Sequence, residues 1–145
     1  MRFETDTVPA TQEAILTGLR DANDERSPVL RGIRERGEDE ELPLDLYAYD
    51  DDELVGGIVA STWGSWLSIS LVWVREDRRD AGLGAELMRR IEERAHEERG
   101  CVGVRLETWG FQAKPFYEKL GYTLFGVLDD CPPGETEYFL AKRLD

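Results

Sequence analysis

Apolar residues recur along this chain at two periods, and the switches between them divide it into elements. Residues 2–5 predict a short first strand. From Thr11 to Asp21, Ala14, Ile15, Gly18 and Leu19 recur at helical spacing. A second short helix is predicted over Pro28 to Arg36, with Val29, Leu30 and Ile33 on one side. The acidic stretch Gly37 to Glu41 reads as an exposed loop. Leu44 to Tyr49, Leu54 to Thr62 and Trp66 to Val74 then read as three strands with short polar connections, an antiparallel meander. Leu83, Leu87, Met88, Ile91 and Ala95 stripe a helix from about Gly82 to Arg99, which Gly100 is placed to end. Val102 to Thr108 is a strand, Ala113 to Leu120 a short helix closed by Gly121, and Thr123 to Leu128 and Glu137 to Ala141 two last strands. The order predicts one α+β domain over residues 1–145, with a β-α-β-α unit in its second half.

Composition narrows the function. The chain has 145 residues, 41% of them hydrophobic, enough for a core without disulfides or metal. No apolar run approaches a membrane span, and the opening residues carry no apolar signal region, so a cytoplasmic protein is expected. Lys and Arg number 18 against 31 Asp and Glu, a formal charge of −13. That charge repels phosphate backbones and disfavours nucleic acid as a partner. It either serves solubility or draws in cationic substrates such as amines. Cys101 and Cys131 form no paired motif, and the lone His96 falls on the polar side of a charged helix. No metal site and no cysteine nucleophile are expected.

The most informative segment runs from Val72 to Ala85, where an apolar strand enters a charged loop and Gly82 and Gly84 open a long helix. A helix start leaves about four backbone N–H groups unpaired, and with the helix dipole they make an anion site. Glycine there lets a phosphate approach the backbone, and Arg79 adds a cation at the mouth. The spacing is neither GxGxxG nor a P-loop. A plain strand-to-helix turn that needs flexible glycines is the competing reading.

A second segment resolves that choice. Arg79-Asp80-Ala81-Gly82-Leu83-Gly84 is similar to the R/Q-x-x-G-x-G/A loop of the GNAT acetyltransferase superfamily. Phe116-Tyr117-Glu118-Lys119-Leu120-Gly121-Tyr122 resembles that family's later helix, which carries a tyrosine and closes in L-G-F/Y. One helix and one strand separate the two motifs, as in the family. The resemblance implies a GNAT-like fold: a mixed, mostly antiparallel central sheet flanked by helices, with strands splayed at the cofactor site. It implies acetyl-coenzyme A as cosubstrate and no metal. The N–H groups of Asp80, Ala81, Gly82, Leu83, Gly84 and Ala85 would hold the pyrophosphate beside Arg79. Val72, Trp73 and Val74 would pair with the pantetheine arm, and an N–H near Val72 would polarise the thioester carbonyl. Phe116 belongs to the same cofactor wall. Gln112 is the nearest amide to where relatives place a coenzyme-binding asparagine. Tyr117 would protonate the leaving thiolate.

The general base is a departure from the pattern. Many relatives carry a glutamate on the strand before the loop, but Trp66 to Val72 contains no carboxylate. Glu107 on the next strand is the substitute, with Ser70 ordering a water. A surface pair with Arg105 is the other reading of Glu107. Trp63 and Trp66 either line an acceptor pocket or belong to the core. The expected reaction is transfer to a primary amine of a small molecule or peptide, by direct attack in a ternary complex. A non-catalytic acyl-coenzyme A sensor and an interaction domain are the alternatives. A homodimer is admissible, and nucleic acid and membrane are not expected partners.

Overall fold

The computed structural model describes residues 1–110 and 113–145. The chain divides into two compact units, Met1–Asp39 and Glu40–Asp145. The first holds α1 (Pro9–Arg26), which outruns its sequence pattern at both ends, and α2 (Pro28–Glu35), which ends one residue before its own. Each starts with a proline, whose missing N–H is one the helix start leaves unpaired anyway. Ser27 caps α2 by accepting from the Leu30 N–H at 3.2 Å. Arg34 ties α2 to α1 through Asp24 at 2.9 Å and Asp21 at 3.2 Å.

Residues 2–5 form no strand. Phe3 is their one large apolar side chain, and it is exposed, so no burial offsets the ordering of that segment. The sheet's first strand is instead β1, the pair Leu42–Pro43, too short to leave a periodic signal. Its proline is tolerated because β1 is an edge.

The second unit is one seven-stranded sheet. β2 (Leu46–Asp50), β3 (Glu53–Trp63) and β4 (Trp66–Val74) form the expected meander. The β3–β4 hairpin turns on Gly64 and Ser65, both at φ near +60°, the conformation a two-residue turn requires. β5 (Gly103–Trp109) lies parallel to β4, and β7 (Thr136–Arg143) and β6 (Thr123–Asp129) complete the order β1-β3-β4-β5-β7-β6, with β2 also on β3. Every pairing except β4–β5 is antiparallel.

Two helices cover one face. α3 (Leu83–Arg99) packs on β2, β3 and β4, and α4 (Ala113–Lys119) packs on β5. Leu87, Met88, Ile91 and Ala95 of the predicted stripe are buried against Ile58, Leu67, Val104 and Leu140. α3 comes close enough at Gly56 that a β-carbon there would meet the Trp73 carbonyl at 3.0 Å and Leu87 at 3.3 Å. The helix ends at Gly100, left-handed as expected. Cys101 is fully buried, and burial pushes its thiol up, as befits a small core hydrophobe. His96 spans the helix end, its Nδ1 within 3.1 Å of the Cys101 carbonyl.

One buried charge escapes the sequence pattern. Glu92 on α3 is 8% exposed and accepts from Tyr122 at 2.9 Å and Lys142 at 2.6 Å. The network joins α3, the end of the α4 motif and β7. The Leu120-Gly121-Tyr122 ending therefore has a structural role, with Tyr122 buried and Gly121 at φ +96°. No described helix is long and apolar enough to cross a membrane.

Candidate active site

The sheet breaks where β4 leaves β5. Trp66–Ile69 pair with Gly103–Leu106, and beyond that register the two strands part. The cause is local. Val59 faces Leu71 while Ala60 faces Ile69, so Ser70 is an extra residue in β4. A bulge bends its strand and shifts the side-chain alternation. Leu67 and Ile69 point to the core before it, and Val72 and Val74 pack against the core after it. The β5-facing edge of Val72–Val74 is therefore left without a strand partner.

The start of α3, which follows β4 and its charged loop, leaves backbone donors unpaired. Gly82 stands before α3 at φ +84°, a conformation costly for residues with a β-carbon. Among the described residues, Glu86 is the first to bond back, to the Gly82 carbonyl at 3.0 Å. The N–H groups of Leu83, Gly84 and Ala85 have no acceptor among those residues, and no side chain caps them. A β-carbon at Gly82 would meet nothing within 4 Å, so the space there is open. Gly84 differs: a β-carbon there would stand 3.2 Å from Phe116. Its small size serves the packing of α3 on α4, while the residue still lines the same cavity as Gly82.

The loop's cations divide their work. Arg75 is bound to Asp77 at 2.6 Å and to Glu53 at 3.0 Å, and Arg78 pairs with Asp50. Arg79 Nε donates to the Val74 carbonyl at 3.0 Å and, among the described residues, makes no ion pair. Its remaining donors are available to an anion.

These residues surround a cavity of about 570 Å³ lined by Val72, Trp73, Val74, Arg79, Asp80, Gly82, Leu83, Gly84, Ala85, Phe116 and Tyr117. Of the residues predicted to hold a cofactor, Ala81 is absent from that lining and Gln112 lies outside the described residues. Arg78 and Ala113 join it, unforeseen. Arg78 was legible as a second cation in the loop; Ala113 carries no signal. The unpaired backbone donors, the remaining donors of Arg79 and the open space at Gly82 fit a pyrophosphate, and the volume suits a small-molecule site.

Tyr117 is 7% exposed, edge-on to Phe116 at 5.0 Å and to Tyr122 at 5.8 Å. Burial raises its pKa, so it holds its proton at neutral pH. Among the described residues no group hydrogen-bonds its hydroxyl, and the side chain lines the cavity.

A second cavity, about 560 Å³, opens at the same break and is lined by residues on the face opposite α3: Ser61, Ser68, Ser70, Arg105, Glu107, Phe125 and Phe139 among them. Glu107 and Arg105 alternate outward on β5 while Val104 and Leu106 point to the core. Arg105 does not consume Glu107 as a surface pair; its Nε donates to Ser68 at 3.0 Å. Glu107 is held above the ordinary carboxylate range, first by a hydrogen bond with Glu137, then by burial and by the charge of Glu137. Glu137 sits on β7 opposite Trp109, two positions from the partner of Glu107, and also accepts from the Cys131 thiol at 3.3 Å. Its role was invisible in sequence, because it depends on β5–β7 register. Among the described residues no cluster of three or more His, Cys, Asp or Glu could hold a metal ion.

Comparison with known proteins bears on this arrangement. Residues 10–122 match the Acetyltransferase (GNAT) family. The chain is 45% identical over 133 residues to a blasticidin-S acetyltransferase of Streptomyces morookaense, covering 89% of this chain and 98% of that one. It superposes on a crystal structure of an acetyltransferase from Bacillus cereus ATCC 14579 with a TM-score of 0.80 at 26% identity, covering 98% and 97% of the two chains. An aminoglycoside 6'-N-acetyltransferase solved with coenzyme A shares the fold, with a TM-score of 0.65 at 22% identity and coverage of 99% and 96%.

Proposed function

The chain belongs to the GNAT acetyltransferase family, and from that premise we propose that it acetylates an amine of a small cationic molecule, with blasticidin S the first candidate. It is an acetyltransferase, and its acetyl donor is acetyl-coenzyme A. The observation that carries the acceptor reading is the pair of cavities at one break in the sheet. Val72 borders the donor cavity and Ser70 the acceptor cavity, about 6.6 Å apart along β4. An amine in the second is within reach of a thioester in the first.

In this reading the N–H groups of Leu83, Gly84 and Ala85, with Arg79, bind the pyrophosphate. The free edge of Val72, Trp73 and Val74 pairs with the pantetheine amides, and an N–H near Val72 stabilises charge on the carbonyl oxygen. Glu107 takes the amine proton, directly or through a water beside Ser70. Its raised pKa brings it nearer the operating pH of a general base. Tyr117 gives its hydroxyl proton to the departing sulfur. The amine attacks directly, with no acetylated side chain between. The family resemblance to a small-molecule acetyltransferase favours small molecules over peptides as acceptors. The reading keeps the cytoplasm as compartment and leaves nucleic acid and membrane out of the chemistry.

The test is acetyl transfer by the purified protein to blasticidin S, to polyamines, to an aminoglycoside and to a basic peptide. Release of coenzyme A is followed with a thiol reagent and the product by mass. Acetylation of blasticidin S or another small amine with the highest kcat/KM is expected. Transfer to the peptide alone would overturn the small-molecule assignment.

A further inference from the structure

The acceptor cavity does not end at Ser68. A third cavity, about 420 Å³ and largely apolar, continues along the same face and is lined by Trp63, Gly64, Trp66, Arg105, Phe125 and Ala141. It shares Arg105 and Phe125 with the acceptor cavity. The two are therefore one trough running along β4, from the Trp63–Trp66 hairpin end to the break at Ser70. Ser70 lies four residue steps along β4 from Trp66, which is about 13 Å of strand.

Two chemistries stand at its ends. Glu107 and the serines make the end at the break polar and acidic, suited to an amine. The hairpin end is aromatic on several sides. Trp63 is 41% exposed and Phe125 62%, so both present apolar surface at the rim of this cavity. Trp66 is held flat against Gly103, where a β-carbon would come within 2.5 Å of the indole, and Arg143 lies 5.9 Å from its ring. Glycine opposite a tryptophan fixes the indole's position across the sheet. An amine by itself needs none of this. Planar walls of indole and phenyl, with a guanidinium in the shared middle, suit a planar conjugated ring that carries hydrogen-bond acceptors.

We infer that the Trp63–Trp66–Phe125 pocket is a specificity subsite that binds a planar heteroaromatic ring of the acceptor, about 13 Å from the amine that is acetylated. The inference rests on the reading of the Glu107 cavity as the acceptor site. The fixed span selects acceptors by length as well as by ring. Arg105, anchored to Ser68, stands between the two ends and faces the acceptor's polar middle or the ring's own oxygen and nitrogen atoms.

The test uses three probes: 9-(8-aminooctyl)adenine, the shorter 9-(2-aminoethyl)adenine, and ring-free 1,8-diaminooctane. Acetylation is measured by coenzyme A release, and binding in the presence of coenzyme A by calorimetry, which needs no turnover. Stacking a base on aromatic side chains is typically worth about tenfold or more in affinity. The long-tethered adenine is therefore expected to have a KM and a Kd about tenfold below those of 1,8-diaminooctane and of the short probe. In Trp63→Ala, and separately in Phe125→Ala, that preference should collapse to about threefold or less. Equal affinity for the ringed and ring-free long amines would overturn the subsite, as would a preference unchanged in both variants. Ring-dependent binding without acetylation would sustain the subsite and count against amine transfer. Absence of binding by every probe would overturn the subsite.

Discussion

The loop from Arg78 to Ala85 and the outer face of the sheet meet the same break between β4 and β5, but they are built from different material. In the proposed reading the donor side is mostly backbone: three N–H groups that a helix start leaves unpaired, and one strand edge that a bulge sets free. Its residues are nearly contiguous in the chain. The acceptor side is side chains from five strands, Ser61, Ser70, Glu107, Phe139 and Phe125, brought together only by register. Backbone donors impose one ligand on many sequences, because they ignore most side chains. A side-chain face changes its ligand with a few substitutions. The contrast accounts for a donor common to a family whose acceptors differ.

The largest effect should come from damage to the backbone side. Gly82→Val places a branched residue at φ +84° and projects it into the open space of the cavity. Acetyl-coenzyme A binding is expected to fall below detection in calorimetry, with the fold retained by circular dichroism. Near-normal affinity in a folded variant would break the claim that this side works by backbone approach. Gly84→Ala sharpens it: the new methyl presses on Phe116 at 3.2 Å, so a modest loss of stability with measurable binding is expected.

Tyr117→Phe is the next largest. The hydroxyl has no hydrogen-bond partner among the described residues, so its removal leaves packing intact. The general-acid contribution typically spans about 10²–10⁴-fold, and a thiolate leaves readily, so a fall in kcat of about 10² is expected with coenzyme affinity unchanged. Single-turnover kinetics at unchanged rate would remove Tyr117 from the chemistry.

On the acceptor side the effects should be smaller and should appear in pH profiles. Glu107 must be deprotonated to accept a proton, and its raised pKa means activity falls on acidification sooner than for an ordinary carboxylate. Glu107→Gln is expected to lower kcat about tenfold or more and to flatten that acid limb, with recovery at higher pH where more amine is free. Glu137→Gln removes the neighbouring charge, so the Glu107 pKa should drop and the limb should move to lower pH. A limb that stays put in Glu137→Gln would dissociate the two carboxylates.

The smallest effect concerns the whole surface. If the charge of −13 steers a cationic acceptor, kcat/KM for it should fall several-fold as salt rises, since screening shortens to about 8 Å at physiological ionic strength. A flat profile would assign the charge to solubility.

Local rules made much of this molecule legible before folding. The α3 stripe, the left-handed end at Gly100, the meander and the glycine-containing loop before α3 each depend on neighbours in the chain. Residues such as Gly82 and Tyr117 could be named because their motifs are short and contiguous. Tertiary structure decided the rest. It discarded the strand expected at residues 2–5, for want of a partner, and recruited Leu42 and Pro43 as the sheet edge. Gly84 gained a packing contact that its motif does not show, because only the folded state brings Phe116 to it. Burial of Glu92 became tolerable once Tyr122 and Lys142 arrived from distant elements. Whether Glu107 met Arg105 or Glu137 also waited on register, because side chains on different strands have no fixed relation until the sheet pairs.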